Sequence, residues 1–376
     1  MYTNYYLKEQ STVFDLAKWP MMVLVVFIHT LNNVIHPVPL PLSLSELIHS
    51  ATNGGGYIYL FISELISHSF GRVAVPFFFF ISGYWLLYKE DYTPSFYLHN
   101  LKKKTHTLLI PYILWNLICL GIYFLKVKLS GRVGLEVYDE ELAMLATPLW
   151  RHLIEPVNFP LWYVRDLIGM NLILPFFYYL FKYTRGWGIL LLYLGYLLGL
   201  ELPIPGFGST AILYVGAGIY CGRNKVDILE LCHRYRWAIT LTLTVLLLLA
   251  LFNNQHPQVE YLIRLYIPLG IALVLNATTW VYRLSQAERS YRLPHLWIKL
   301  CRYCLPASFF VYVTHTLVIN KMINRILSTL GSTSGYWQLF AYFAGVVLTI
   351  AVCIIGYKFI NKLSPRLMAV LTGGRS

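Results

Sequence analysis

Charge is scarce in this chain. Of its 376 residues only 12% are Asp, Glu, Lys or Arg, and the acidic ones number 17. A soluble protein of this length carries about one quarter charged residues, so a soluble fold is excluded. A fixed-period repeat is missing, which sets aside solenoids and propellers. No non-membrane segment is long enough to bury a core of its own. Cysteine is sparse too: Cys119, Cys221, Cys232, Cys301, Cys304 and Cys353 lie in apolar segments or basic loops. Cys301 and Cys304 form one CxxC without a second pair, so the six read as ordinary thiols rather than a disulfide framework. GxSxG, Walker, GxGxxG, HExxH and Ser-His-Asp motifs are all absent. Soluble hydrolase, nucleotide-binding and metalloprotease chemistry therefore have no sequence footing. A cleavable signal peptide is not expected, because the first apolar run is too long and contains charges.

What the chain has instead is apolar length. Hydrophobic residues make up 57% and the mean hydropathy is +0.57. A span needs about 20 apolar residues, and about ten can be counted, near 12–34, 68–88, 107–127, 161–181, 187–203, 208–222, 237–252, 261–282, 306–326 and 337–361. The expected fold is all-α, a polytopic transmembrane helix bundle forming a single domain over 1–376. An apolar helix at 57–70, after Gly54, Gly55 and Gly56, reads as a re-entrant or interfacial extension of the second span.

The formal net charge of +13 is spread through short loops, not gathered in one patch, which argues against nucleic acid. Its distribution gives an orientation instead. Lys102, Lys103, Lys104, Lys182, Arg185, Arg223, Lys225, Arg289, Arg292 and Lys299 fall on one set of loops. The alternate loops 35–56, 203–208 and 253–260 contain no Lys or Arg. Positive-inside bias then places both termini in the cytoplasm of a cell whose inner (plasma) membrane holds the chain.

The first span is unusual: TVFDLAKWPMMVLVVFIHTLNNV carries Asp15, Lys18 and His29 inside an apolar run. Ionisable groups in hydrocarbon are costly unless paired or turned to a polar cavity, so they are candidates for function. Eleven residues separate Lys18 from His29, about 16 Å of rise on nearly one helix face. Asp15 stands within pairing reach of Lys18. Arg72, Arg165, Asp166 and Arg264 sit at depths similar to His29 in their own spans, and His315 lies near the middle of the ninth. This set is mainly basic. It suits an anionic or carbonyl-bearing ligand, with imidazole as a general base. The membrane histidines lack carboxylate or Cys neighbours at ligand spacing, so no metal is expected.

Several features have plain readings. Phe77 to Phe80 followed by Ser82 and Gly83 reads as lipid-facing aromatics and a small-residue packing notch. Trp162 and Tyr163 fit an interfacial aromatic belt. Lys102 to Lys104 suit a topology signal that touches lipid headgroups.

Taken together the motifs resemble the membrane-bound acyltransferase 3 family of bacterial multipass O-acyltransferases. Its first helix carries an Asp-x-x-Arg opening and an Arg/Lys-x10-His signature, matched here by Asp15, Lys18 and His29. Its second reads R-x-x-x-P-x-F-F-x-x-S-G, matched by Arg72, Pro76, Phe78, Phe79, Ser82 and Gly83. IPYILWN at 110–116, PLWYVRDL at 160–167 and FFVYVTHTL at 309–317 also look like family segments in the right order. One departure is Lys18, where Arg is commoner; Lys cannot make the same bidentate contacts.

The resemblance implies transfer of an acyl group, of the acetyl or succinyl class, from cytosolic acyl-CoA to a hydroxyl of an exported glycan, glycolipid or similar acceptor. Acyl-CoA would be a donor substrate, and no permanently bound cofactor is implied. His29 is then the candidate base, Asp15 the group that holds Lys18, and Lys18, Arg72 and Ser82 the donor or oxyanion contacts. Trp162, Arg165, Asp166, Arg264 and His315 would line the cavity. The outer loops 35–56 and 128–160 would help choose the acceptor. A transporter or flippase for an anionic or sugar-linked substrate shares this polytopic architecture, although no internal duplication speaks for one. A catalytically silent scaffold is a third reading, and the retained Lys18, His29 and Arg72 speak against it. Oligomeric state stays open.

Overall fold

The computed structural model describes residues 2–30, 49, 54–133, 139–254, 256–287, 292–331 and 334–374. Among these every regular element is a helix, with no strand. That follows from the solvent: in hydrocarbon each backbone N–H and C=O needs a partner within its own segment or in a closed barrel. In order, the helices are α1 (Tyr2–Thr30), α2 (Gly56–Leu86), α3 (Pro94–Ser130), α4 (Asp139–Ala146), α5 (Phe159–Leu172) and α6 (Leu174–Thr184). They continue as α7 (Trp187–Leu197), α8 (Ser209–Arg223), α9 (Ile228–Arg234), α10 (Arg236–Phe252) and α11 (Val259–Gln286). The last four are α12 (Arg292–Leu317), α13 (Asn320–Leu330), α14 (Gly335–Leu363) and α15 (Pro365–Thr372).

Among the described residues six helices are long and apolar enough to cross a membrane: α1 from Lys8 onward, α2, α3, α11, α12 and α14. Counting each of two bent pairs as one span raises the number to eight. The expected ten are not reached, and the reasons are local. The stretches at 187–203 and 208–222 fold as α7 and α8, of 11 and 15 residues. Their rises of about 16 and 22 Å fall short of the roughly 30 Å hydrocarbon core. Between them Gly199, Pro203, Pro205 and Gly206 break the helix. The span expected at 161–181 is bent by 59° between α5 and α6, where Pro175 cannot donate a backbone hydrogen bond. α9 and α10 meet at 74°. Residues 57–70, expected as a re-entrant or interfacial extension, run continuously into the second span as one 31-residue helix.

Small residues set the tightest packing. α2 and α8 cross with backbone against backbone: a Cβ on Gly83 would collide with the Val215 carbonyl, and one on Gly218 with the Phe80 carbonyl. Between membrane helices, where lipid is as apolar as the neighbour, such close approach is a main source of association. The packing reading of Gly83 therefore holds. The lipid-facing reading of the aromatics does not. Phe77 and Phe79 are fully buried and Phe80 nearly so, because α1, α5 and α8 surround this part of α2. One large apolar core joins residues of α1, α2, α5, α8, α11, α12 and α14.

α12 begins as a three-sided helix. Arg292, His295, Lys299 and Arg302 occupy one side, Leu293, Leu296, Leu300 and Tyr303 are exposed on the next, and Ile298, Cys301 and Cys304 are buried on the third. That division suits a helix that touches bundle, lipid and headgroups at once. All six cysteines are free thiols.

Candidate active site

Polar groups on α1 take two different surroundings. Asp15 and Lys18, one helical turn apart, form an ion pair at 2.6 Å with both side chains partly exposed. Three turns on, His29 stands at the described end of α1. Side chains from other helices reach two backbone carbonyls there. The Asn320 amide of α13 donates to the His29 carbonyl at 2.6 Å, and the Ser67 hydroxyl of α2 to the Phe27 carbonyl at 2.9 Å. Asn320 is fixed in turn, its Oδ1 accepting from Asn324 at 2.9 Å. Thr30, Asn320 and Asn324 are all buried. Backbone position at His29 is thus set by a buried amide relay, while its ring is half-buried.

That ring lies beside His315, with centroids 5.1 Å apart and planes inclined by 51°. Phe159 of α5 also stands 5.8 Å away, edge to face. His315 opens a π-helical turn, His315–Ile319, at the end of α12. Such turns recur at functional sites because they release the side-chain spacing of the α-helix. Its Nδ1 lies 3.0 Å from the Val311 carbonyl. A carbonyl only accepts, so Nδ1 carries the proton and Nε2 presents a lone pair. Nε2 is buried and, among the described residues, has no hydrogen-bond partner, in a residue of zero exposure. A buried acceptor left unmade costs about 1–3 kcal/mol.

From His315 a run of rings leads across the bundle. Tyr312 lies 6.4 Å from His315, Tyr163 lies 5.9 Å from Tyr312, and Phe79 lies 4.7 Å from Tyr163. The Tyr163 hydroxyl is 3.5 Å from that of Ser82, and Trp162 meets Phe79 at 6.2 Å. Four segments quoted from the sequence, on α1, α2, α5 and α12, therefore share one wall. The loop that delivers Phe159 to His29 is tied at the two residues just before it. Asn116 of IPYILWN accepts from the Val157 amide at 2.8 Å, and Asn158 donates to the Val313 carbonyl at 2.8 Å. Neither asparagine, nor Asn320, stood out in the sequence. The segments holding Asn116, Tyr163 and Tyr312 did.

The arginines go elsewhere. Arg72 donates to both oxygens of Glu260 on α11, at 2.7 and 2.8 Å, whereas His29 faces His315 and Phe159. Arg264 approaches the same carboxylate at 3.5 Å and donates to the Tyr196 carbonyl at 2.9 Å. Arg165 and Asp166 pair at 2.8 Å, and Arg165 also reaches the Ile154 carbonyl. The charged and histidine groups thus form separate clusters: the histidine pair, an Arg72–Glu260–Arg264 triad and an Arg165–Asp166 pair. The first two stand at neighbouring levels of α1 and α2, since Gly71 packs on Ile28. An apolar cavity of about 150 Å³ between α1, α2, α10 and α11 touches none of these groups; Leu24, Phe70, Val73, Leu247 and Tyr266 line it. Most of the 35–56 loop, proposed to choose the acceptor, lies outside the described residues.

Comparison with known proteins agrees with the motif order. The acyltransferase 3 family model, described as "Acyltransferase domain", matches residues 12–358. The chain is 29% identical over 330 residues to the succinoglycan biosynthesis protein ExoH of Rhizobium meliloti (strain 1021), covering 83% of this chain and 81% of that one. No solved structure matches. A match from the first span to the last, over α1 with its Asp15, Lys18 and His29 and α12 with its His315, shows that this chain belongs to the acyltransferase 3 family and is a multi-pass membrane acyltransferase.

Proposed function

We propose that this chain moves an acyl group of the acetyl or succinyl class from cytosolic acyl-CoA to a hydroxyl of an exported glycan or glycolipid. It would work in the inner (plasma) membrane with both termini cytoplasmic, as the loop charges suggest. The observation that carries the reading is His29: a half-buried imidazole whose backbone carbonyl is pinned by Asn320, on the same helix as Lys18. In this reading the acyl-CoA thioester enters from the Lys18 end and the acceptor hydroxyl from the other. His29 takes the hydroxyl proton as the oxygen attacks the thioester carbonyl. The new C–O bond forms, the C–S bond breaks, and the leaving thiolate receives the proton from the imidazolium. Lys18, held by Asp15, meets the anionic donor. Ser82 and Tyr163 supply hydroxyl donors along the wall opposite. A glycan acceptor is supported by the relative that shares 83% coverage, whose name places it in succinoglycan biosynthesis.

Arg72 was expected to orient the donor or stabilise the oxyanion. Its engagement with Glu260 favours a different part, holding α2 to α11 beside the site. The test is mass spectrometry of surface glycans and lipids from cells with and without the protein. A shift by one acyl mass on a glycan that depends on the protein supports the reading. Unchanged glycans with altered substrate movement across the membrane would contradict it.

A further inference from the structure

We propose that His315 is a positioning residue for His29, its Nε2 accepting a hydrogen bond from a ring N–H of His29 in the reacting complex. The proposal rests on His29 as the base. Three observations carry it. His315 Nδ1 is committed to the Val311 carbonyl, so Nε2 can only accept. Nε2 is fully buried and, among the described residues, has no hydrogen-bond partner. The ring beside it is His29, 5.1 Å between centroids. A hydrogen bond of about 3 Å between two ring nitrogens, each about 1 Å from its centroid, puts the centroids about 5 Å apart. The pair therefore already has the separation of a hydrogen-bonded pair, and turning the half-buried His29 ring supplies the angle.

The consequence is a fixed tautomer. With one His29 N–H given to His315, the remaining His29 nitrogen holds the lone pair and faces the acceptor hydroxyl. When that hydroxyl gives up its proton, His29 becomes an imidazolium whose second N–H is already bonded to a neutral acceptor. The proton then passes to the departing thiolate, and His315 ends as it began. A carboxylate orients the base in many triads. Here a neutral imidazole would do so inside hydrocarbon, without bringing in a further buried charge.

The experiment compares His315→Leu and His315→Gln with wild type in nanodiscs, with kcat and KM measured for acyl-CoA and for the glycan. His29→Ala and the double variant His29→Ala/His315→Leu are run beside them, and thermal unfolding confirms that each is folded. The expected result is a kcat loss of about 10²-fold for His315→Leu with both KM values nearly unchanged. His315→Gln, which keeps an acceptor oxygen, is expected to recover about tenfold of that loss. The double variant is expected to be no slower than His29→Ala alone, as for groups that act as a unit. Wild-type kcat in a folded His315→Leu, equal loss in the Leu and Gln variants, or additive losses in the double variant would each overturn the proposal. Full activity in His29→Ala would instead overturn His29 as the base, a result the same set of variants separates.

Discussion

At the scale of single residues the site depends on neutral amides as much as on charged groups. Asn320→Ala removes the donor from the His29 carbonyl and the acceptor from Asn324. A loss of about 1–3 kcal/mol in stability is expected, read as a lower unfolding temperature, together with a fall in transfer rate. Arg72 and Glu260 pose a different question, since they pair between two membrane-spanning helices and Arg264 stands 3.5 Å from the same carboxylate. A charge left without its partner inside a membrane is costly. Arg72→Ala and Glu260→Gln are therefore both expected to lower the unfolding temperature, Glu260→Gln the more because it leaves two arginines without their carboxylate. If Arg72 only ties α2 to α11, both variants slow transfer alike; if it serves the reaction, Arg72→Ala alone does so. His29, Lys18 and Asp15 were legible in the sequence because a charge in an apolar run has few innocent explanations. Asn158 and Asn320 were not, because a neutral amide costs little to place and its partner is a backbone atom far away in sequence. Arg72 shows the other limit. Position along a span gives depth, but the direction in which a side chain points depends on neighbours that only packing reveals.

Among elements, the α2–α8 crossing should be the least tolerant of change. Gly218→Val places a side chain where the Phe80 carbonyl lies, and a backbone group cannot move aside as a flexible side chain can. Loss of folded, monodisperse protein is expected on size-exclusion chromatography. Gly121→Val, a site with open space around the glycine, serves as the tolerated control. The same crossing explains why Phe77 and Phe79 are core residues although the run reads as lipid-facing. A string of aromatics is apolar toward any neighbour, and the sequence carries no sign of which helices will surround it. Helix count was only partly legible for a related reason. Hydropathy counts apolar residues and is blind to bends such as that between Leu172 and Leu174.

For the whole molecule, class and family were open to reading and the arrangement of helices was not. Five motifs in order led to the acyltransferase 3 family, and the family match over residues 12–358 agrees. Membership favours the enzyme over the transporter reading. Topology can be checked with reporter fusions at the two ends: both are expected on the cytoplasmic side, and a reporter active outside would reverse the route proposed for the donor. The most direct measurement uses protein in nanodiscs with labelled acyl-CoA and a glycan acceptor. Thiol release and acylated glycan are followed together for wild type and His29→Ala. One thiol released per acyl group on the glycan is expected for wild type, with both signals lost by about 10²-fold or more in a folded His29→Ala. Undiminished transfer by His29→Ala would contradict the central claim.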